Sequence, residues 1–178
     1  RIPKVFEYYK VKRQSIVHMQ RAPGIDLEKL SFQRGPLPSE LVVKIAIQLA
    51  EILLYLRDSK QHYKGKPYVH GDIKPSNVVF DSETEKVYLV DWGSAVPAQL
   101  DVRGQTTANN IMDLMSSDLQ NSNARLGDVY FIGHEQISGE MSSPRFDEQG
   151  LAATLYALAS GQSCRYGSAV ITPSSLGL

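Results

Sequence analysis

Residues 70–77 read HGDIKPSN, and this stretch decides the fold that we expect for the 178-residue chain. It holds a carboxylate at Asp72, an ammonium at Lys74 and a carboxamide at Asn77. A glycine and a proline interrupt it, so the pattern predicts a loop rather than a helix or a strand. We therefore expect one short loop to present three polar groups.

Two apolar runs follow this loop and predict a β-hairpin. The runs VVF at 78–80 and VYLV at 87–90 flank a polar turn, which is typical of two antiparallel strands. The hairpin would return Asp91 to the end where Asp72 and Asn77 lie. Such oxygen ligands suit Mg²⁺, which proteins hold with one or two carboxylates and substrate phosphates. The expected chemistry is phosphoryl transfer, with Asp72 accepting the proton of the attacking hydroxyl.

The loop and the residues after the hairpin resemble two motifs of the eukaryotic-type Ser/Thr protein kinase family. HGDIKPSN is similar to the catalytic loop, and DWG at 91–93 is similar to the DFG motif. The resemblance implies that Asp72 is the catalytic base and that Lys74 contacts the transferred phosphate. It also implies that Asn77 and Asp91 hold Mg²⁺, with ATP as the phosphate donor.

Other residues of these motifs carry further implications. Gly71 stands where many members have an arginine that pairs with a phosphorylated activation segment, so the resemblance implies activity independent of that phosphorylation. Trp92 replaces phenylalanine, another aromatic residue. His70 is expected to support the loop structurally. Lys74 followed by Pro75 favours Ser/Thr specificity in the family.

The rest of the chain predicts strands first and helices later. Residues 5–12 and 15–19 have the composition of two short strands, and Pro-Gly at 23–24 predicts a turn. A short helix is expected over 26–32, and a long helix from an N-cap at Ser39 to about residue 58. Because one narrow polar stripe crosses an otherwise apolar surface, we expect the long helix to be buried around most of its circumference.

The resemblance implies an α+β, protein kinase-like fold that is incomplete, with short small-lobe strands and a mainly helical large lobe. The β-hairpin would carry the catalytic and metal-binding loops. Met19 would be the gatekeeper, and the backbone of Gln20 and Ala22 would hydrogen-bond the adenine of ATP. The parts of this partial domain, which spans 1–178, are 1–20 as the end of the small lobe, 21–25 as the hinge, 26–178 as the large lobe and, within it, 94–135 as the activation segment.

Several residues after the DWG motif have expected roles in the family's large lobe. Glu135 matches the glutamate that closes the activation segment, although Gly-His precedes it in place of Ala-Pro. Residues 147–150 resemble the Asp-x-x-Gly that opens the next helix, in which Asp147 would tie down the backbone of the catalytic loop. The stretch 151–160 is apolar enough to be buried, and Gly161 would cap the helix. Hydroxyls in the activation segment are either phosphorylation sites or part of a solvated loop: Thr106, Thr107, Ser116 and Ser117.

Three elements of a complete kinase domain are not found in this sequence: a Gly-rich phosphate loop, a phosphate-anchoring strand lysine and its partner glutamate. The last helices of the large lobe, with the usual arginine partner of Glu135, are also not recognised. We therefore expect the chain to be an internal piece of a protein kinase.

Composition restricts the remaining function classes. Lysine plus arginine equals aspartate plus glutamate at 19 each, so no net field attracts nucleic acid. A single cysteine, Cys164, favours a reducing, cytoplasmic compartment. No apolar stretch has the length of a membrane span.

The expected function is transfer of phosphate from ATP to Ser/Thr hydroxyls of protein substrates. Two alternatives remain open. HGD is common in small-molecule phosphotransferases of the aminoglycoside or choline type, although these usually lack Lys-Pro as at 74–75. The unrecognised small-lobe elements leave room for a pseudokinase that acts as an interaction module.

Overall fold

A computed structural model describes residues 1–58, 66–98, 130–137 and 142–162 of the chain. Its first element is a two-stranded antiparallel hairpin, with β1 at Val5–Val11 and β2 at Gln14–Met19. Lys12 turns the chain with a positive φ of 54°. The two expected strands are thus confirmed. Their side chains are exposed except that of Ile16, which is half-buried.

Two further small sheets include the strands next to the loop at 70–77, called the catalytic loop below for its resemblance to that motif. β3 (Ile25–Asp26), β5 (Val78–Asp81) and β6 (Lys86–Leu89) form an antiparallel sheet in the order β3-β5-β6. β5 and β6 are the predicted hairpin, with Val78 paired to Leu89. β4 (Tyr68–Val69) pairs with β7 (Val96–Pro97). The sequence did not predict this second pairing, which joins the residues just before His70 to the residues just after Ala95.

Four helices complete the described part: α1 at Leu27–Arg34, α2 at Ser39–Arg57, α3 at His134–Ile137 and α4 at Pro144–Ser160. Asp26 caps α1, where its Oδ1 accepts from the backbone N of Lys29 at 2.8 Å. The expected N-cap at Ser39 is wrong. Ser39 is already helical, and Pro38 occupies the cap position without a side-chain hydrogen bond. The fixed φ of proline suits the extended residue just before a helix.

α4 begins earlier than the sequence predicted. Ser143 caps it by accepting from the N of Arg145, and Pro144 follows as the first helical residue, a position where the missing proline N–H costs nothing. Gly161 ends the helix with a φ of 73°, which confirms the predicted glycine cap. Asp147, which was expected to open this helix, lies in its first turn.

The core lies between α2, α4 and the β5–β6 hairpin. Its buried members on α2 include Ile45, Leu49 and Leu56. The expected burial of α2 around most of its circumference is wrong, because Val43, Ile47 and Leu54 are exposed. Apolar periodicity records which side chains are hydrophobic, whereas burial also requires a packing partner on each face. Within the described ranges, no helix is long and apolar enough to cross a membrane.

Of the expected activation segment, the structure describes only 94–98 and 130–135. Its four candidate phosphorylation sites and Cys164 lie outside the described residues.

Candidate active site

The catalytic loop orients Asp72 through its own side chains. The Nδ2 of Asn77 donates to the backbone O of Asp72 at 2.8 Å and to its Oδ2 at 2.9 Å. Lys74 Nζ lies 3.0 Å from the same Oδ2. A short 3₁₀ turn at Pro75–Asn77 reverses the chain, so that the Asn77 side chain contacts Asp72. The three polar groups that the sequence placed on this loop therefore meet at one carboxylate.

A carboxylate of α4 binds the backbone of the catalytic loop. Both oxygens of the buried Asp147 accept backbone N–H groups at 2.8 Å, Oδ2 from His70 and Oδ1 from Gly71. Burial raises the pKa of Asp147 to about 7, and the two N–H donors oppose that rise. The predicted role of Asp147 in tying down the catalytic loop is confirmed.

Two further α4 residues support the next position of the loop. Thr154 Oγ1 donates to the backbone O of Ile73 at 3.4 Å. A Cβ on Gly150 would lie 3.0 Å from the same oxygen, so a glycine allows the helix to approach this closely. α4 thus binds the loop at residues 70, 71 and 73.

A buried glutamine of α3 contacts the loop from another direction. Gln136 is 2% exposed, and its Nε2 donates to the backbone O of Gly71 at 2.6 Å. Gln136 was not predicted from the sequence, because it belongs to no motif that we recognised. Its neighbour Glu135 matches the glutamate that closes the activation segment in the family. The Glu135 side chain is exposed in α3, and its role stays a prediction.

His70 links the loop to the strand that leads into Asp91. The N of Asp72 donates to His70 Nδ1 at 3.3 Å, and His70 Nε2 lies 3.1 Å from the backbone O of Val90. These partners favour the neutral ring with its proton on Nε2. Burial lowers the pKa of His70, which favours the same neutral form. The structural role expected for His70 is confirmed.

Asp91 follows this strand in a left-handed backbone conformation, with φ 59° and ψ 74°. The N of Val90 donates to the O of Asn77 at 2.9 Å, which brings the two predicted metal ligands onto adjoining backbone. Trp92 packs edge-on against the His70 ring, with centroids 4.8 Å apart, and its Nε1 donates to the O of Leu89 at 3.2 Å. Non-glycine residues rarely adopt the Asp91 conformation, and such strain is concentrated at functional sites.

A cleft of about 390 Å³ joins the predicted hinge to Asp91. Met19, Gln20 and Ala22 line one side of it, and Val90 and Asp91 line another. Gly24 closes the hinge against β5: its φ is 104°, and a Cβ there would lie 2.1 Å from the O of Phe80. The structure therefore brings the predicted adenine-binding residues and one predicted metal ligand into the same cleft.

The side-chain oxygens of Asn77 and Asp91 are of a kind that fits Mg²⁺. The amide nitrogen of Asn77 faces Asp72, and its Oδ1 accepts no hydrogen bond from any described residue. An amide oxygen and the carboxylate of Asp91 are hard ligands of the kind that Mg²⁺ prefers, with phosphates completing the shell. In the described part of the chain, no group of three or more His, Cys, Asp or Glu could hold a metal.

Comparison with known proteins agrees with this geometry. Residues 1–172 match the model of the protein kinase domain. The human Serine/threonine-protein kinase VRK2 is 33% identical over 86 residues, or 48% of this chain and 15% of that protein. Serine/threonine-protein kinase F of Synechocystis sp. is 29% identical over 145 residues, or 80% of this chain and 24% of that protein.

A third relative covers more of the chain. Serine/threonine-protein kinase PrkC of Bacillus subtilis is 22% identical over 163 residues, or 90% of this chain and 22% of that protein. The chain spans less than a quarter of the length of each of these three relatives. From the match over most of its residues, the chain belongs to the protein kinase domain family, and its relatives are of the Ser/Thr type.

Proposed function

We propose that this chain carries the phosphoryl-transfer centre of a protein serine/threonine kinase that uses ATP and Mg²⁺. The observation that supports this most strongly is the convergence on Asp72, where Asn77 Nδ2 and Lys74 Nζ both reach one carboxylate oxygen. A carboxylate held in this way can be aimed at an acceptor hydroxyl. The protein substrates would carry that hydroxyl on Ser or Thr.

Each proposed site residue has a distinct task. Asp72 orients the acceptor hydroxyl and takes its proton, while Lys74 supplies positive charge beside the transferred phosphate. Asn77 and Asp91 are the residues that would hold Mg²⁺. ATP would supply the phosphoryl group, and Mg²⁺ would neutralise part of the negative charge of the phosphates.

The hinge and the division of the chain belong to the same proposal. Met19 would act as gatekeeper, and the backbone of Gln20 and Ala22 would bind adenine, since all three line the cleft that reaches Asp91. The proposed parts are the end of the small lobe at 1–20, the hinge at 21–25, the large lobe at 26–178 and the activation segment at 94–135.

Transfer of radiolabelled phosphate tests this function. The protein, expressed from its complete reading frame, is given labelled ATP with Mg²⁺ and generic Ser/Thr protein substrates, and nucleotide binding is titrated separately. Asp72→Asn should lower transfer by about 10²- to 10⁴-fold, because it removes the base. Asp81→Asn is the matched control: its carboxylate caps the β5–β6 turn, and transfer should be unchanged.

Three results would contradict the proposal. If Asp72→Asn keeps full activity, Asp72 is not the base. If a small hydroxylated acceptor is labelled while proteins are not, the chain belongs to a small-molecule phosphotransferase. If the wild-type protein binds no nucleotide, the domain serves as an interaction module.

A further inference from the structure

The backbone of Gly71 is held on both sides by buried side chains, one at its N–H and one at its C=O. Its N–H donates to Asp147 Oδ1 at 2.8 Å, and its C=O accepts from Gln136 Nε2 at 2.6 Å. The two partners come from different helices, α4 and α3. Gly71 has a φ of 80°, and a glycine left without partners has the widest choice of backbone conformations.

The C=O of Gly71 and the N–H of Asp72 belong to one peptide group, so the orientation of that group affects Asp72. The N of Asp72 donates to His70 Nδ1, and its carboxylate meets Asn77 and Lys74. A rotation of the peptide plane between 71 and 72 would move that N–H away from His70 and turn the carboxylate. Displacement of a reacting group by about 1 Å can cost roughly 100-fold in rate.

Gln136 is suited to this task because its donor is buried and uncharged. Removing its amide would leave the carbonyl of Gly71 without this partner, and a buried polar group left unsatisfied costs about 1 to 3 kcal/mol. The link joins the end of the 94–135 segment to the catalytic loop through an amide and a carbonyl. This contact therefore forms without the pair of arginine and phosphorylated residue that many members of the family use.

We propose that Gln136 is a positioning residue that couples α3 to the catalytic loop and holds Asp72 in its working orientation. This inference rests on the proposed phosphoryl transfer and deepens it. Coupling through Gln136 makes the orientation of Asp72 depend on the placement of α3. Any event that displaces α3 would then lower the rate of the chemical step more than it lowers nucleotide binding.

Two substitutions in the full-length protein test this coupling. Gln136→Leu removes the donor at similar size, and kcat should fall by about 10- to 100-fold while the affinity for ATP with Mg²⁺ stays within about 2-fold. Gln48→Leu is the matched control. Gln48 also bonds backbone through its amide, accepting from the N of Val87 at 3.1 Å and donating to the O of Glu85 at 2.8 Å, and its loss should leave kcat unchanged.

Gln136→Glu supplies a readout that a merely structural role would not give. A protonated glutamate can still donate to the Gly71 carbonyl, whereas an ionised one cannot. The titratable groups nearest in the chain are His70 and Asp72 on either side of Gly71 and Glu135 beside Gln136, while Asp147 accepts the N–H of Gly71 and Lys74 pairs with Asp72. The kcat of Gln136→Glu relative to wild type should therefore be highest at low pH and should fall as pH rises. A ratio that does not change with pH would overturn the coupling.

Amide hydrogen exchange separates failure of this inference from failure of the proposed function. In Gln136→Leu, or in Gln136→Glu above neutral pH, the amides of Gly71 and Asp72 should exchange faster. In Gln48→Leu the amide of Val87 should do so instead. If wild-type protein transfers no phosphate, the proposed function fails. Exchange at Gly71 and Asp72 then still shows whether Gln136 holds the catalytic loop. Unchanged exchange there, or unchanged kcat in an active enzyme, overturns the role of Gln136.

Discussion

The catalytic loop and the β1–β2 hairpin are both recognisable from local sequence, yet they are held in very different ways. Side chains from 65 to 77 positions away bind the backbone of His70 and Gly71. In the hairpin, Phe6 is 52% and Tyr8 is 59% exposed. The hairpin is closed at its base by its own bond, from the N of Gln20 to the O of Lys4. Local propensity produces both segments, but only long-range partners fix the position of the loop.

This difference places the precision of the site in α3 and α4 rather than in the motif itself. A turn with glycine and proline can adopt several conformations, and distant buried groups select one of them. The hairpin has strand-forming residues, but two strands alone are marginally stable in water. Substitutions should therefore be far more costly beside the loop than in the hairpin.

The largest effect is expected at Asp147, the residue that bonds the loop backbone twice. Asp147→Ala leaves the N–H groups of His70 and Gly71 buried without their acceptor, at about 1 to 3 kcal/mol each. We expect the free energy of unfolding to fall by roughly 2 to 5 kcal/mol, measured by urea denaturation. Asp147→Asn keeps one acceptor oxygen and should lose less. A loss below about 1 kcal/mol in Asp147→Ala would mean that the two bonds contribute little.

A matched valine pair compares the two regions directly. Val87 in β6 is fully buried and Val17 in β2 is 48% exposed. Val87→Ala should lower the free energy of unfolding by about 2 kcal/mol through lost burial and a new cavity, and Val17→Ala by less than about 0.5 kcal/mol. Denaturant midpoints of the two variants are the measurement. A large loss at Val17 would show that another surface covers the hairpin.

The smallest effect concerns the protonation of His70. Its pKa is lowered by burial, so the unfolded chain takes up a proton at a higher pH than the folded protein does. Stability therefore falls as pH drops below the usual histidine value of about 6.5, and this contribution is fully present above it. NMR titration of the His70 ring should give a pKa below that value. A pKa at or above 6.5 would contradict the buried, neutral ring.

Local patterns predicted the parts of the fold that local interactions build. The β5–β6 hairpin, the two strands of the first hairpin and the glycine end of α4 follow from alternation and cap chemistry. The start of α4 was missed, although serine followed by proline at 143–144 is a common sequence pattern at the start of a helix. The Ser39 cap failed because a serine before an apolar run can equally be the first helical residue.

Contacts around Asp72 follow from the sequence where one motif holds both partners, and they were missed where the fold brings distant residues together. Asp72, Lys74 and Asn77 share one loop, so their meeting follows from short spacing. Gln136 reaches Gly71 only because the fold brings α3 to the loop, and no spacing along the chain signals that contact. The β4–β7 pairing has the same character, since each strand has two residues and no periodicity of its own.

Trp92 has a practical consequence, because it is the only tryptophan in the sequence. Its indole packs against the His70 ring and directly follows Asp91 in the chain. Within these 178 residues, intrinsic fluorescence excited at the indole therefore comes from a single place, the junction between the catalytic loop and the residues that follow β6. The chain carries its own optical reporter of that junction, and its emission would report the proposed nucleotide binding without any attached label.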